Sequence, residues 1–230
     1  MFFPFYFDPT FLLLIPGIIL ALYAQSKVQS TFQRYSRVRS MSGLTGAQVA
    51  RTLLDRHGLH DVPVELVGGR LTDHYDPRSR VMRLSQEVYQ STSLAALGVA
   101  AHETGHAIQH AQNYVPLGIR NNLFPIASIG SQMAFPLFFI GLIFASTTLM
   151  NIGIWFFIAA LAFQVVTLPV EFNASYRAIQ LLSSTGILTS SEVPQARRVL
   201  NAAALTYVAA VAMAALQLVR LLLLRGARDD

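Results

Sequence analysis

The chain has 230 residues, 53% of them hydrophobic and only 13% charged, where an ordinary soluble domain carries about 25% charged residues. It has no cysteine, which excludes disulfides, thiolate nucleophiles and thiolate metal sites, so any transition metal must be held by His and carboxylate. The formal net charge of +5 points to cytoplasmic retention and anionic lipid rather than nucleic acid, because the arginines are scattered and carry no interleaved aromatic platforms.

The apolar residues collect into four stretches almost free of charge. The first runs from Phe11 to Ala24 and can extend back toward Phe2 at the cost of Asp8, with Pro4, Pro9 and Pro16 interrupting its helical pattern. No Lys or Arg precedes it and no small-residue cleavage site follows, so it reads as a retained anchor. The others run from Leu123 to Ser146, Ile152 to Val170 and Ala203 to Leu224, each near the ~20 residues that cross a bilayer. The chain then divides into a first transmembrane segment (1–25), a cytoplasmic region (26–122), a transmembrane hairpin (123–170), a second cytoplasmic segment (171–202), and a fourth transmembrane helix with its tail (203–230). Four crossings put Gln25–Asn122 and Glu171–Asn201 on one face. The first carries eleven Lys and Arg and the second carries three, which assigns both to the cytoplasm of a multi-pass protein.

The long loop reads as a small folded unit. Thr45 to Gln48 fits a capping box, opening a helix with Val49, Ala50, Leu53 and Leu54 on one face and Gly58 as its stop. Val62–Val67 reads as a strand before Gly68-Gly69, Asp76-Pro77 as a turn, and Arg80–Leu84 as an edge strand able to pair with an extended substrate. Ser91 to Ser93 offers the N-cap of a helix over Leu94–Ala111.

That helix carries His102-Glu103-Thr104-Gly105-His106, an H-E-x-x-H motif. Residues i and i+4 on a helix are offset by only about 40° and ~6 Å, so His102 and His106 can reach one metal ion. Glu103 is then placed to act as general base on the water the metal activates. A chance pattern on a surface helix is the competing reading, but the polar triplet interrupts an otherwise apolar helix and needs a reason. His110 lies about two turns above His102, too far along the axis to converge, and reads as a supporting residue. Gln109 and Gln112 stand where a metzincin would have Gly and His, which excludes that subclass. Gly105 between the two histidines would admit another backbone, with a mere packing gap as the alternative.

A catalytic zinc takes three protein ligands and one open position. Eight carboxylates share the motif's membrane face, and Glu171 stands out at the end of the third apolar stretch, where a carboxylate is costly unless paired or metal-bound. Pro169 would bend the helix and aim it inward. The other reading is an interfacial anchor beside Arg177. His74 and Tyr75 are candidates to stabilise an oxyanion, with turn and packing roles as the alternative. Arg177 is a candidate for the same task, or for binding a substrate carboxylate or a lipid phosphate.

Three stretches together carry a resemblance: Asp73–Arg78 with Met82–Ser85, Ala101–Ala107, and Leu168–Ser175. The chain resembles the YugP-type membrane zinc metallopeptidases of bacteria over nearly its whole length. The resemblance implies a gluzincin-like site, with His102, His106 and Glu171 holding one Zn2+ and Glu103 as base. It also implies a location in the bacterial inner membrane. A looser similarity extends to membrane proteases of the CAAX prenyl protease and HtpX type, which usually have Asp four residues after the ligand Glu. This chain has Ser175 there, and a serine can still hydrogen-bond a ligand. The expected fold is a predominantly α membrane protein with four transmembrane helices and a small cytoplasmic α+β unit. The expected activity is a zinc endopeptidase acting on protein or peptide at the membrane surface, with no nucleic-acid partner. Three rivals are an intramembrane site-2-type protease, for which no Leu-Asp-Gly motif is found, a catalytically silent scaffold, which would not need Glu103, and a metal transporter, which would want ionisable residues inside its spans.

Overall fold

The computed structural model describes residues 9–227. A 3₁₀ turn, Pro9–Leu14, leads into α1 (Ile15–Tyr35). Pro16 does not break α1 because it is the second residue, where a missing N–H has no intrahelical partner to lose. Pro4 and the extension toward Phe2 lie outside the described residues. Then follow α2 (Gly46–Arg56), β1 (Val64–Val67), β2 (His74–Asp76), β3 (Val81–Ser85), the short α3 (Gln86–Tyr89), and α4 (Leu94–Ala111). Three long helices complete the chain: α5 (Val115–Ile143), α6 (Thr147–Ser184) and α7 (Val193–Gly226). The four helices from Pro9–Tyr35, Val115–Ile143, Thr147–Ser184 and Val193–Gly226 are long and apolar enough to cross a membrane.

The helices outrun the apolar stretches. In α6 the hydropathy falls after Val170, yet Val170, Ala174, Ala178 and Leu182 recur every fourth residue and are fully buried. A helical period that outlasts its apolar run means the helix leaves the membrane and joins a packed core.

Residue contacts divide the chain into two compact units. One gathers the N-terminal segment up to Tyr23, Ile119–Val166, and the C-terminal segment from Tyr207. Within it α5 and α6 pack backbone to backbone. A side chain at Gly153 would meet the Ala134 carbonyl at 2.7 Å, and one at Gly130 the Phe156 carbonyl at 2.6 Å. Small residues at the crossing are what lipid-embedded helices use, since burial against lipid tails supplies no force between them.

The other unit gathers Ala24–Gly118 and Thr167–Thr206. Its centre is α4, whose Ala-rich sequence lets neighbours approach on every side and leaves most of its residues buried. Thr45 caps α2 in a complete capping box with Gln48, and Val49, Ala50, Leu53 and Leu54 turn inward with no exposure. Gly58 takes φ +73 where the chain leaves α2, a conformation that favours glycine. Ser93 caps α4 by accepting a hydrogen bond from the Ala96 N–H at 3.2 Å.

The sheet corrects one expectation. Its order is β1-β3-β2, with β3 parallel to β1 and antiparallel to β2. The Arg80–Leu84 stretch is therefore the central strand and not an edge, and its ladder positions are filled on both sides. Substrate cannot add to it. The exposed edges belong to β1 and to β2, the three-residue strand that carries His74 and Tyr75.

Candidate metal centre

α4 presents His102 and His106 on one face, and α6 presents Glu171 against them. The Nε2 atoms of the two histidines lie 3.2 Å apart. Glu171 Oε2 lies 3.3 Å from His102 Nε2 and 3.5 Å from His106 Nε2. A tetrahedral zinc with bonds of about 2.0–2.1 Å separates its ligand atoms by about 3.3 Å, so the three atoms already stand at zinc spacing. Glu171 is 3% exposed, and its Oε2 accepts no hydrogen bond although it is buried. A buried carboxylate oxygen without a donor is costly, and a cation among these three groups removes that cost. The donor set of two imidazoles and one carboxylate, with no sulfur, fits zinc.

Two features bring α6 this close. Gly105 is the first: a Cβ there would meet the Ala174 carbonyl oxygen at 2.7 Å and the Ala174 Cα at 3.1 Å. The glycine expected to admit a backbone does so, and the backbone is that of the helix bearing Glu171. α6 passes through Pro169 as one continuous helix. The second feature is a polar bracket. Fully buried Gln109 donates from Nε2 to the Val170 carbonyl at 2.8 Å and to Asn173 Oδ1 at 3.0 Å. Asn173 Oδ1 also accepts from Arg177 Nε at 2.7 Å, and Arg177 Nη1 donates to Gln112 Oε1 at 2.7 Å. The guanidinium of Arg177 thus ties the end of α4 to α6 rather than pairing with Glu171.

The bracket also sets the histidine that faces the centre. Because Gln109 Nε2 must face the Val170 carbonyl, its Oε1 faces His106 Nδ1, at 3.0 Å. His106 therefore donates from Nδ1 and keeps the Nε2 lone pair for a metal. Ser175 Oγ meets His102 Nδ1 at 3.1 Å, so the serine that stands where related proteases usually have aspartate contacts the first histidine of the motif. Burial opposes charge on His106, but the Glu171 carboxylate beside it prevails and raises the imidazole above its ordinary 6.5. Protons and metal then compete for the same nitrogen.

Glu103 is nearly buried, and its Oε2 accepts the Tyr75 N–H at 3.0 Å. The Tyr75 N–H is thereby turned to α4 and not to β3. The Tyr75 hydroxyl is hydrogen-bonded to His110 Nδ1 at 2.9 Å, which gives His110 a supporting place beside the site. His74, the neighbour on β2, is exposed and holds its Nδ1 on the Thr72 carbonyl at 2.8 Å. Asp73 anchors the start of β2, accepting from Ser85 N–H at 2.7 Å and from Ser85 Oγ at 3.0 Å. Burial pushes the Asp73 carboxyl up, with a smaller contribution from the Glu103 charge, against the Ser85 donors. Among the described residues, the only group of three His, Asp or Glu close enough to share a metal is His102, His106 and Glu171. Sequence reasoning had no role for Gln109, Asn173 or Asp73. The signal for Gln109 was present: an amide three residues beyond His106, on the same face of an apolar helix.

The profile of a family described as "Putative neutral zinc metallopeptidase" matches residues 10–226. The chain belongs to this family. A relative of the chain is "Putative membrane protease YugP" of Bacillus subtilis (strain 168), 48% identical over 219 residues, covering 95% of this chain and 97% of the relative. No solved structure matches the chain.

Proposed function

We propose that the protein is a zinc-dependent membrane endopeptidase, with His102, His106 and Glu171 holding one zinc ion and Glu103 as general base. The observation that carries this reading is the convergence of two imidazole nitrogens and an undonated carboxylate oxygen at zinc spacing, one residue from a second buried carboxylate. Zinc bound there supplies a Lewis acid that polarises the scissile carbonyl and acidifies water.

The chain's own groups do the rest. The Tyr75 N–H fixes Glu103 Oε2, leaving Oε1 to take the proton from the attacking water and return it to the leaving amine. Gln109 and Ser175 hold the imidazoles in orientation. A substrate laid along β2 would pass Glu103 in extended form, with the Tyr75 N–H already held by Glu103, which moves strand addition from β3 to β2. His74 and Tyr75, on that strand, are the groups we assign to the incoming carbonyl. We place the site on the cytoplasmic side of the bacterial inner membrane, on the charge distribution of the two loops and on the nearness of Glu171 to the end of an apolar run.

The test is metal content and peptide hydrolysis of detergent-purified wild type beside Glu171→Gln, His106→Ala and Glu103→Gln. About one zinc per chain is expected in wild type and in Glu103→Gln, and little in the other two. Glu103→Gln is expected to lose about 10²–10⁴-fold in hydrolysis while keeping its zinc. Full zinc in Glu171→Gln would remove the third ligand, and unchanged hydrolysis in Glu103→Gln would remove the base.

A further inference from the structure

A second site-like feature lies on the same unit as the metal centre but on other elements. The C-terminal half of α1 and the N-terminal half of α7 enclose a cleft of about 400 Å³ lined by Lys27, Thr31, Arg34, Tyr35, Arg198, Asn201, Ala202 and Leu205. Three of these are cations and none is an acid. Among the described residues, no carboxylate lies within ion-pair distance of Lys27, Arg34 or Arg198, although other arginines of the unit have such partners.

The two arginines are held in place. Tyr35 is 4% exposed, and its hydroxyl accepts a hydrogen bond from Arg198 Nη1 at 3.1 Å. The Arg34 guanidinium lies over the Tyr35 ring, 5.6 Å from its centroid. One buried side chain thus positions an arginine from each helix, so little freedom is left to lose when an anion arrives. Thr31 and Asn201 add neutral hydrogen-bonding groups, and Ala202 and Leu205 form an apolar wall.

The depth of the cleft follows from the helices. Lys27 lies three residues beyond Ala24, the end of the first apolar run, and Arg198 five residues before Ala203, the start of the last. At 1.5 Å per residue these are about 4.5 and 7.5 Å outside the hydrocarbon, within the ~5–8 Å headgroup layer of one leaflet. Arg34, ten residues beyond Ala24, lies about 15 Å out, so Lys27 and Arg198 stand at headgroup depth with Arg34 on the aqueous side of them. Cations so placed, with an apolar wall on the membrane side, have the chemistry of a phosphodiester headgroup site.

We propose that this cleft binds the headgroup phosphate of an anionic phospholipid, with Lys27, Arg34 and Arg198 as its cationic contacts. The full chain in a neutral detergent would be titrated with phosphatidylglycerol and, separately, phosphatidylcholine in mixed micelles, with bound lipid counted by native mass spectrometry. Wild type is expected to retain phosphatidylglycerol in preference to phosphatidylcholine. Lys27→Gln with Arg34→Gln leaves the Arg198–Tyr35 bond intact and is expected to weaken phosphatidylglycerol binding by roughly tenfold or more. The control is Arg56→Gln with Arg78→Gln, two exposed positions outside the cleft that remove the same charge. It is expected to change nothing. Equal retention of the two lipids by wild type, wild-type preference in the cleft variant, or an equal loss in the control would each overturn the proposal. Displacement of the lipid by millimolar inorganic phosphate would overturn the lipid source in favour of a soluble phosphate.

Discussion

Gln109 illustrates how much of this site depends on a residue that touches no metal. It receives the His106 Nδ1–H, donates to the Val170 carbonyl and reaches Asn173, so it orients one proposed ligand and docks the helix of another. Gln109→Leu keeps the volume and removes all three bonds. Zinc affinity is expected to fall about 10–100-fold, as for other partners of metal-bound histidines, which chelator competition would measure. His102, Glu103 and His106 were legible because helical spacing alone brings them together. Glu171 was legible as an anomaly, a carboxylate at the end of an apolar run. Gln109 left a local signal only in its spacing from His106, and Asn173 and Asp73 left none, because the remaining partners are set by the crossing of α4 with α6 and by the sheet, which no local pattern encodes.

The decisive contact between elements is the one between α4 and α6 at Gly105. Gly105→Ala would drive a methyl into the Ala174 backbone. It is expected to cost about 1–3 kcal/mol in stability and to lower zinc occupancy by moving Glu171 away. Gly98 on the same helix is the contrast: a Cβ there meets its nearest atoms, on Ala196, at 3.8 Å. Gly98→Ala is expected to be neutral or to stabilise by about 0.5–1 kcal/mol through helix propensity. Thermal unfolding with parallel zinc assay separates the two. The helices themselves read well from the sequence, α4 to the residue, since caps and periodicity are local signals. The sheet read poorly. β2 is only three residues long, too short for alternation to register, and without it β3 looked like an edge.

At the level of the whole chain, the segments are fastened by a charge remote from the metal. Glu192 is 5% exposed and accepts from the Met41 N–H at 2.8 Å, the Thr189 N–H at 2.9 Å and the Thr189 hydroxyl at 2.8 Å. Burial raises its carboxyl, but these donors outweigh burial and hold it below its ordinary 4.5. A depressed carboxyl means the unfolded chain binds more protons, so the stability Glu192 confers is present above about pH 4.5 and is lost as pH falls through its lower folded value. Melting temperature is expected to drop more steeply with acid in wild type than in Glu192→Gln. Orientation can be read directly because the chain has no cysteine. Arg78→Cys and Ser191→Cys should resist a membrane-impermeant thiol reagent in intact cells, while Thr148→Cys reacts. The membrane fold as a whole was legible from hydropathy, because a bilayer imposes a length and a polarity that sequence records directly. Finally, His102 and its contact Ser175 are 73 residues apart, and α5 with most of α6 is synthesised between them. A nascent chain that has completed α4 carries the histidine pair but neither Glu171 nor the bracket on Asn173. The candidate metal centre is thus incomplete throughout translation of the membrane hairpin, and closes only once that hairpin has been made.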